Sequence, residues 1–321
     1  MKSVIAAISL LASLFIVSAE ALAQQDTDQQ KAVLITGASS GIGRNMAETL
    51  AKEGYFVYAG ARKQADIDAL SAIENIQGIR LDVTVQEEID AAVAHVRSED
   101  RGLYGLVNNA GVATVGALIE ADEGDLEFLM DVNVFGPYRV TKAFAPLIIE
   151  SKGRITTTGS ISGILSRPLL GYYAMSKHAM EAFADTLAVE MEKFGVAVSV
   201  IEPGNYRSSI SASVQARAAE SFDAASDSLY AEEMKARSGG PVDRSQYKDP
   251  DEVSEALSHF LSSDRPNRRY MVVPNEGEAE LTTRKFIEEL AQLNQWHAYS
   301  YDRDELVEML DEALARQEGS E

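Results

Sequence analysis

The stretch AVLITGASSGIGRNMAETLAKEG, residues 32–54, decides the fold. Its first five residues are apolar or β-branched and read as a buried strand, and residues 44–54 read as a helix. Between them stand Gly37, Gly41 and Gly43, in a G-x-x-x-G-x-G turn rather than the commoner G-x-G-x-x-G. The physics of the two spacings is shared. Glycines let the chain turn tightly and let a ligand approach the backbone, and the following helix N-terminus offers unpaired N–H groups to a pyrophosphate. No Gly-Lys-Ser/Thr is present, which counts against a nucleoside-triphosphate loop. The pattern predicts a bound nucleotide, with Gly37, Ser39, Ser40, Gly41, Ile42 and Gly43 as its contacts.

The alternation of strand and helix continues outward. YFVYAG (55–60) makes a second strand running into Ala61-Arg62-Lys63. An acidic residue at that place would bind the free ribose 2′-hydroxyl of NAD; Arg62 and Lys63 instead suit a 2′-phosphate. NADP(H) is therefore expected, with NAD the lesser alternative. IQGIRLDV (76–83) reads as a third strand ending at Asp82-Val83, followed by a helix over 84–100 capped by Thr84. LYGLVNNAG (103–111) reads as a fourth strand, ending in Asn108-Asn109-Ala110-Gly111. A long helix is expected over 125–149, carrying Asn133 and kinked at Gly136-Pro137. RITTTGS (154–160) and VAVSVIEPG (196–204) supply two more strands, ending at Ser160 and at Pro203-Gly204. RRYMVVP (268–274) supplies the last. Such alternation calls for an α/β fold, a doubly wound parallel sheet of Rossmann type that binds ligands at the strands' C-terminal ends. Each candidate site residue named so far on a strand falls at such an end.

The acid–base chemistry concentrates in GYYAMSKHAMEAFADTLAVEMEKF, residues 171–194. Apolar Ala179, Met180, Phe183, Leu187 and Met191 recur at helical steps, so Tyr173 and Lys177 project from one face. Tyr172 has Ser176 four positions on and cannot form the same pair. A phenol titrates near ~10 and exchanges protons poorly at neutral pH. An ammonium beside it favours the phenolate and brings it closer to working range. Ser160, at a strand end, is the serine better placed for chemistry; Ser162 reads as local turn chemistry.

The chain has 321 residues, and 29 basic against 50 acidic side chains give a net charge of −21. That charge argues against nucleic acid or an anionic membrane as partner. Without cysteine, disulfides, thiolate catalysis and cysteine-ligated metals are excluded, and no metal site is expected. Lys2, the apolar run 4–17 and Ala21-Leu22-Ala23 have the layout of a secretory signal peptide over 1–23, too short to span a bilayer, which needs ~20 apolar residues. Residues 24–30 read as a polar linker, 31–275 as one domain, and 276–321 as a helical C-terminal extension. The leader implies an exported, periplasmic protein; a misassigned start codon would make it cytoplasmic. A cofactor made in the cytosol stands in tension with export, and no twin-arginine pair precedes the apolar run.

Thr36-Gly37-Ala38-Ser39-Ser40-Gly41-Ile42-Gly43, Asp82, Asn108-Asn109-Ala110-Gly111, Asn133, Ser160, Tyr173-x-x-x-Lys177 and Pro203-Gly204 stand in one order. In that order and spacing, over roughly 31–275, the chain resembles the short-chain dehydrogenase/reductase family. Its stretch 172–208 most resembles the branch holding retinol and 17β-hydroxysteroid dehydrogenases. The resemblance implies an enzyme interconverting an alcohol and a carbonyl by hydride transfer, on a hydrophobic secondary alcohol or ketone, usually as a homodimer or homotetramer. It implies that Tyr173 is the acid/base, and that Lys177 holds the nicotinamide ribose and depresses the tyrosine pKa. Ser160 would hold the substrate oxygen, and Asn133 would anchor a water chain behind the lysine. Asp82 and Val83 would touch the adenine, Asn109, Ala110 and Gly111 would line the cofactor cleft, and Pro203-Gly204 would sit beside the nicotinamide. Ser208 departs from the threonine common at its position, and the tail runs past the family's usual end. The region 207–247 lies where the family carries a mobile substrate lid, and one or two helices are expected there. The rival readings are a catalytically idle NADP-binding sensor or scaffold, and a sugar-nucleotide epimerase or dehydratase. The first need not keep Asn133, Ser160, Tyr173 and Lys177 together, and the second usually has a different glycine spacing.

Overall fold

A computed structural model describes residues 30–208, 210, 228–238 and 247–318. The leader, most of the linker and much of the lid region lie outside the described residues. Seven strands form one parallel sheet: β1 (Ala32–Ile35), β2 (Phe56–Ala61), β3 (Ile76–Arg80), β4 (Gly105–Asn108), β5 (Arg154–Thr158), β6 (Ala197–Pro203) and β7 (Arg269–Val272). Their spatial order is β3-β2-β1-β4-β5-β6-β7. The order reverses direction between β1 and β4, where Val33 pairs with Gly105 and Ile35 with Val107. Ligand clefts of open parallel sheets form at such a switch point.

The strands are apolar on both faces because helices cover both. Along β1, Leu34 joins one core cluster with Tyr58, Phe144, Ile148 and Val198, while Val33 and Ile35 join the other with Met46, Leu50, Leu257 and Phe260. Successive side chains of a strand point to opposite faces, so fully buried neighbours require two cores. The first core is closed by α3 (Gln86–Ser98), α5 (Gly136–Glu150) and α6 (Gly171–Glu192), and the second by α1 (Gly41–Lys52), α2 (Gln64–Ser71) and α8 (Asp251–Ser262). Among the described residues, the remaining helices include α4 (Glu123–Met130), α7 (Ala231–Ser238), α9 (Glu276–Leu293) and α10 (Arg303–Glu318). The α7 helix lies within the expected lid region.

Several boundaries differ from expectation for local reasons. The third strand stops at Arg80, because the Asp82 N–H donates to Glu88 Oε2 at 2.7 Å instead of extending the sheet. Thr84 is not the cap of α3. Val85 holds that position, and Thr84 donates through both its N–H and its hydroxyl to Asp82 Oδ1, closing a local turn. The long helix over 125–149 is α4 and α5 joined by a π-helical turn, Asp131–Phe135. The irregularity thus precedes Gly136-Pro137. Gly136 N–H bonds back to Asp131 O, and Pro137 falls in the first turn of α5, where a missing N–H is tolerated. The α6 helix ends at Glu192, with Gly195 beyond it at φ +71°, a conformation that favours glycine.

Candidate active site

The glycine turn is shaped by contacts across the switch point. Gly37 has φ +65°, and a Cβ there would lie 2.8 Å from Ala110 Cα. A Cβ on Gly43 would lie 2.3 Å from Asn109 Nδ2, so neither position accepts a side chain without a shift. Ser40 precedes α1 without a side-chain cap, and no acid stands in the helix's first turn. The positive end of this helix is therefore left for an anion, as a dinucleotide pyrophosphate requires.

A line of hydrogen bonds crosses the C-terminal edge of three adjacent strands. Thr36, just past β1, accepts the N–H groups of Asn109 and Ala110 on its hydroxyl at 2.9 and 3.0 Å. Asn109 Nδ2 returns to the carbonyls of Thr36 and Gly37 at 3.0 and 3.2 Å. Thr158, the last residue of β5, donates its hydroxyl to Asn109 Oδ1 at 3.3 Å. Its carbonyl accepts Lys177 Nζ at 2.8 Å. The lysine is thereby tied through Thr158 and Asn109 to the glycine turn.

Lys177 is buried, and burial lowers its pKa from 10.5 to about 8, with Glu181 one turn along α6 acting in the opposite sense. Its amine stands 5.6 Å from the centre of the Tyr173 ring. A Cβ on Gly111 would lie 4.0 Å from Nζ and 3.5 Å from Asn133 Oδ1, so Lys177 and Asn133 both border Gly111. Asn133 sits in the π turn and spends its amide locally: Oδ1 accepts Val112 N at 2.8 Å, while Nδ2 donates to Val112 O at 2.9 Å and Ser176 Oγ at 3.0 Å. Ser176 in turn donates to Tyr173 O at 2.8 Å. The helix-interior asparagine thus braces the Tyr173 turn of α6. Tyr172 points elsewhere, donating to Ala121 O at 3.0 Å.

Ser160 is buried and caps the short 3-10 turn Ile161–Gly163, its Oγ accepting Ser162 N at 3.1 Å. The hydroxyl also lies 3.5 Å from Pro203 O, so Ser160 and the Pro203-Gly204 loop are neighbours. At the far end of the cleft, Arg62 follows β2 directly and stands 3.9 Å from Asp82 Oδ2, while Val83 is buried. Gly37, Arg62, Asn109, Gly111, Ser160, Lys177 and Pro203 therefore border one edge of the sheet. Thr36, Thr158 and Ser176 hold these contacts without belonging to the predicted site. Thr36 and Ser176 adjoin the glycine turn and Lys177 in sequence, and that adjacency is the signal they offered.

Residues 31–219 match the short chain dehydrogenase family. The chain belongs to the short-chain dehydrogenase family. Among curated relatives of this chain, mitochondrial D-beta-hydroxybutyrate dehydrogenase of Bos taurus is 39% identical over 194 residues, 57% of this chain and 56% of that protein. The chain thus spans about half the length of that relative. Retinol dehydrogenase 16 of Mus musculus is 32% identical over 255 residues, covering 75% of this chain and 80% of that protein. Among solved structures, a short-chain dehydrogenase from Streptomyces avermitilis has a TM-score of 0.71 at 29% identity, with 84% of this chain and 96% of that one covered. The chain therefore has retinol dehydrogenases among its relatives and the family's doubly wound fold.

Proposed function

We propose that this short-chain dehydrogenase interconverts a hydrophobic secondary alcohol and its ketone or aldehyde with NADP(H), using Tyr173 as acid/base. The observation that carries the reading is Lys177. It is a buried ammonium one helical turn from Tyr173 whose hydrogen bonding, among the described residues, is to the Thr158 carbonyl. An ammonium has three donors, so two remain for hydroxyls of the kind a nicotinamide ribose offers. The uncapped start of α1 and the tight Gly37 and Gly43 contacts fit a dinucleotide at the switch point.

When bound, the nicotinamide supplies or accepts the hydride. The chain's own work is protonic and positional. Lys177 favours the Tyr173 phenolate by Coulomb attraction, so that the phenol can release its proton to a developing alkoxide in reduction, and the phenolate can take one from an alcohol in oxidation. Ser160 offers a hydroxyl to the same oxygen. At the start of α6, Tyr172 bonds Ala121 and Gly171 packs on Leu118. Leu118 and Ile119 are exposed there, and Glu120 accepts the N–H of exposed Leu229 at the foot of the lid region. This apolar rim supports a hydrophobic substrate, as does the retinol dehydrogenase relative. Arg62, exposed at the other end, supports a 2′-phosphate; Asp82 beside it bears an opposing charge.

Fluorescence titration of the full chain with NADPH and NADH tests the reading. NADPH is expected to bind about tenfold more tightly, since a charge-assisted hydrogen bond contributes about 1.5–3 kcal/mol, and Arg62→Ala should erase the difference. Equal binding by the wild type overturns the NADP preference. Binding of neither overturns the enzyme reading.

A further inference from the structure

The Pro203-Gly204 loop is gripped from outside the Rossmann domain. Gly204 N–H donates to Val272 O at 2.8 Å, and Tyr206 N–H donates back to Gly204 O at 3.1 Å. The next amide, Asn205 N–H, donates at 2.9 Å to Oε2 of Glu278, on the first turn of α9. The same oxygen packs on Gly204: a Cβ there would fall 2.3 Å from Glu278 Oε2, 3.0 Å from Pro274 Cδ and 3.1 Å from Val273 Cγ1. The C-terminal extension thus fills the side-chain space of this glycine with a carboxylate.

Glu278 is itself held. Asn275 caps α9 by accepting Glu278 N–H at 3.0 Å, and Asn275 Nδ2 donates to Glu278 Oε1 at 3.0 Å. One carboxylate oxygen is fixed by the cap, which leaves the other aimed at the loop. A negative charge in a helix's first turn is also favoured by the helix dipole. On the far side, buried Tyr206 anchors the loop through its hydroxyl to Glu252.

We propose that Glu278 is a positioning residue for the cofactor loop, its carboxylate fixing the Gly204 and Asn205 backbone in the conformation that receives the nicotinamide end. The proposal rests on the dehydrogenase reading above. It gives the extension, which runs past the family's usual end, a role at the site through a single side chain. Glu278 acts through the backbone of Gly204 and Asn205, by holding one N–H and one glycine face.

Two full-chain variants test it by cofactor titration, amide exchange of residues 204–206 and thermal melting. Glu278→Ala removes the acceptor; it should weaken NADPH affinity about tenfold and speed exchange at Asn205 by a similar factor, with the melting temperature held. Glu278→Gln keeps an acceptor for Asn205 N–H and should stay within about threefold of wild type. Wild-type affinity and exchange in Glu278→Ala would overturn the proposal. So would equal losses in both variants accompanied by a lower melting temperature, which would make Glu278 a packing residue. A wild type that binds neither NADPH nor NADH would overturn the dehydrogenase reading instead, and exchange at Asn205 would then decide the backbone anchor by itself.

Discussion

On the α6 side of the cleft, Lys177, Asn133, Ser176 and Ser160 are buried, and each is hydrogen-bonded to its neighbours. On the β2–β3 side, Arg62 meets Asp82 at 3.9 Å with 64% of its side chain exposed. An exposed pair of that kind contributes about 0–1 kcal/mol, so Arg62 can turn to another anion at little cost. Removing one member of the buried set leaves its partner unsatisfied, at about 1–3 kcal/mol for each group. One side is held in a single arrangement, and the other is set by exposed charges. On the proposed function, chemistry that needs fixed geometry and a preference that needs only charge are accordingly placed apart.

The sharpest way to break this contrast is Tyr173→Phe. Removing one hydroxyl from the rigid side should lower turnover by about 10²–10⁴, the usual range for a general acid/base, while NADPH affinity stays within a few-fold. Steady-state rates beside a binding titration separate the two quantities. A variant that retains turnover would remove Tyr173 from the proton transfer, and with it the reading of Lys177 as its partner.

Thr36 joins the two sides, and Thr36→Val tests whether the joint carries load. Valine keeps the shape but removes the acceptor for Asn109 N–H and Ala110 N–H. Asn109 N–H keeps Val107 O at 3.0 Å, so the orphaned amide is that of Ala110, and about 1–3 kcal/mol of stability should be lost in urea unfolding. A loss below about 0.5 kcal/mol would mean that Asn109 holds the glycine turn through its side chain alone.

The fold was legible because β1, β2, β4 and β6 are largely apolar runs and β5 a β-branched one, bounded by Gly, Asn or Pro, and such punctuation survives in one dimension. The pair Tyr173 and Lys177 was legible for a similar reason: helical spacing turns four residues of sequence into one face. The ends of β3 and α3 were misread because Asp82 and Glu88 draw backbone N–H groups into side-chain bonds that propensity does not register. The π turn around Asn133 escaped notice because it depends on what Val112 and Ser176 demand of the asparagine, and those contacts are distant in sequence. The grip of Glu278 on Gly204 is a contact across 74 positions between a loop and a tail, and no local pattern announces it.

A pH-dependent effect lies beneath the rigid side, where three elements meet. Arg269 of β7 bonds Glu202 of β6 at 2.8 Å and Asp185 of α6 at 2.7 Å, and it also pairs with Glu181 of α6. A Cβ on Gly163 would lie 2.6 Å from Glu181 Oε1, so this cluster supports the turn that Ser160 caps. Burial first, and then the neighbouring Glu181, push the Glu202 carboxyl up to about 8, with Arg269 opposing. The buried Glu181 Oε1 has no partner among the described residues, and a protonated Glu202 can supply a donor to that carboxylate. The sign of the linkage follows from the raised value. Between the ordinary 4.5 and about 8 the folded chain holds a proton that the unfolded chain has released, so this stability is complete below the lower value and lost as pH rises through the upper. Glu202→Gln keeps a donor and removes the titration. Its unfolding free energy relative to wild type should therefore rise with pH across that window, by at most ~1.4 kcal/mol per unit. Parallel curves for the two proteins would mean that Glu202 is ionised throughout and that Arg269 alone holds β6 and β7 to α6.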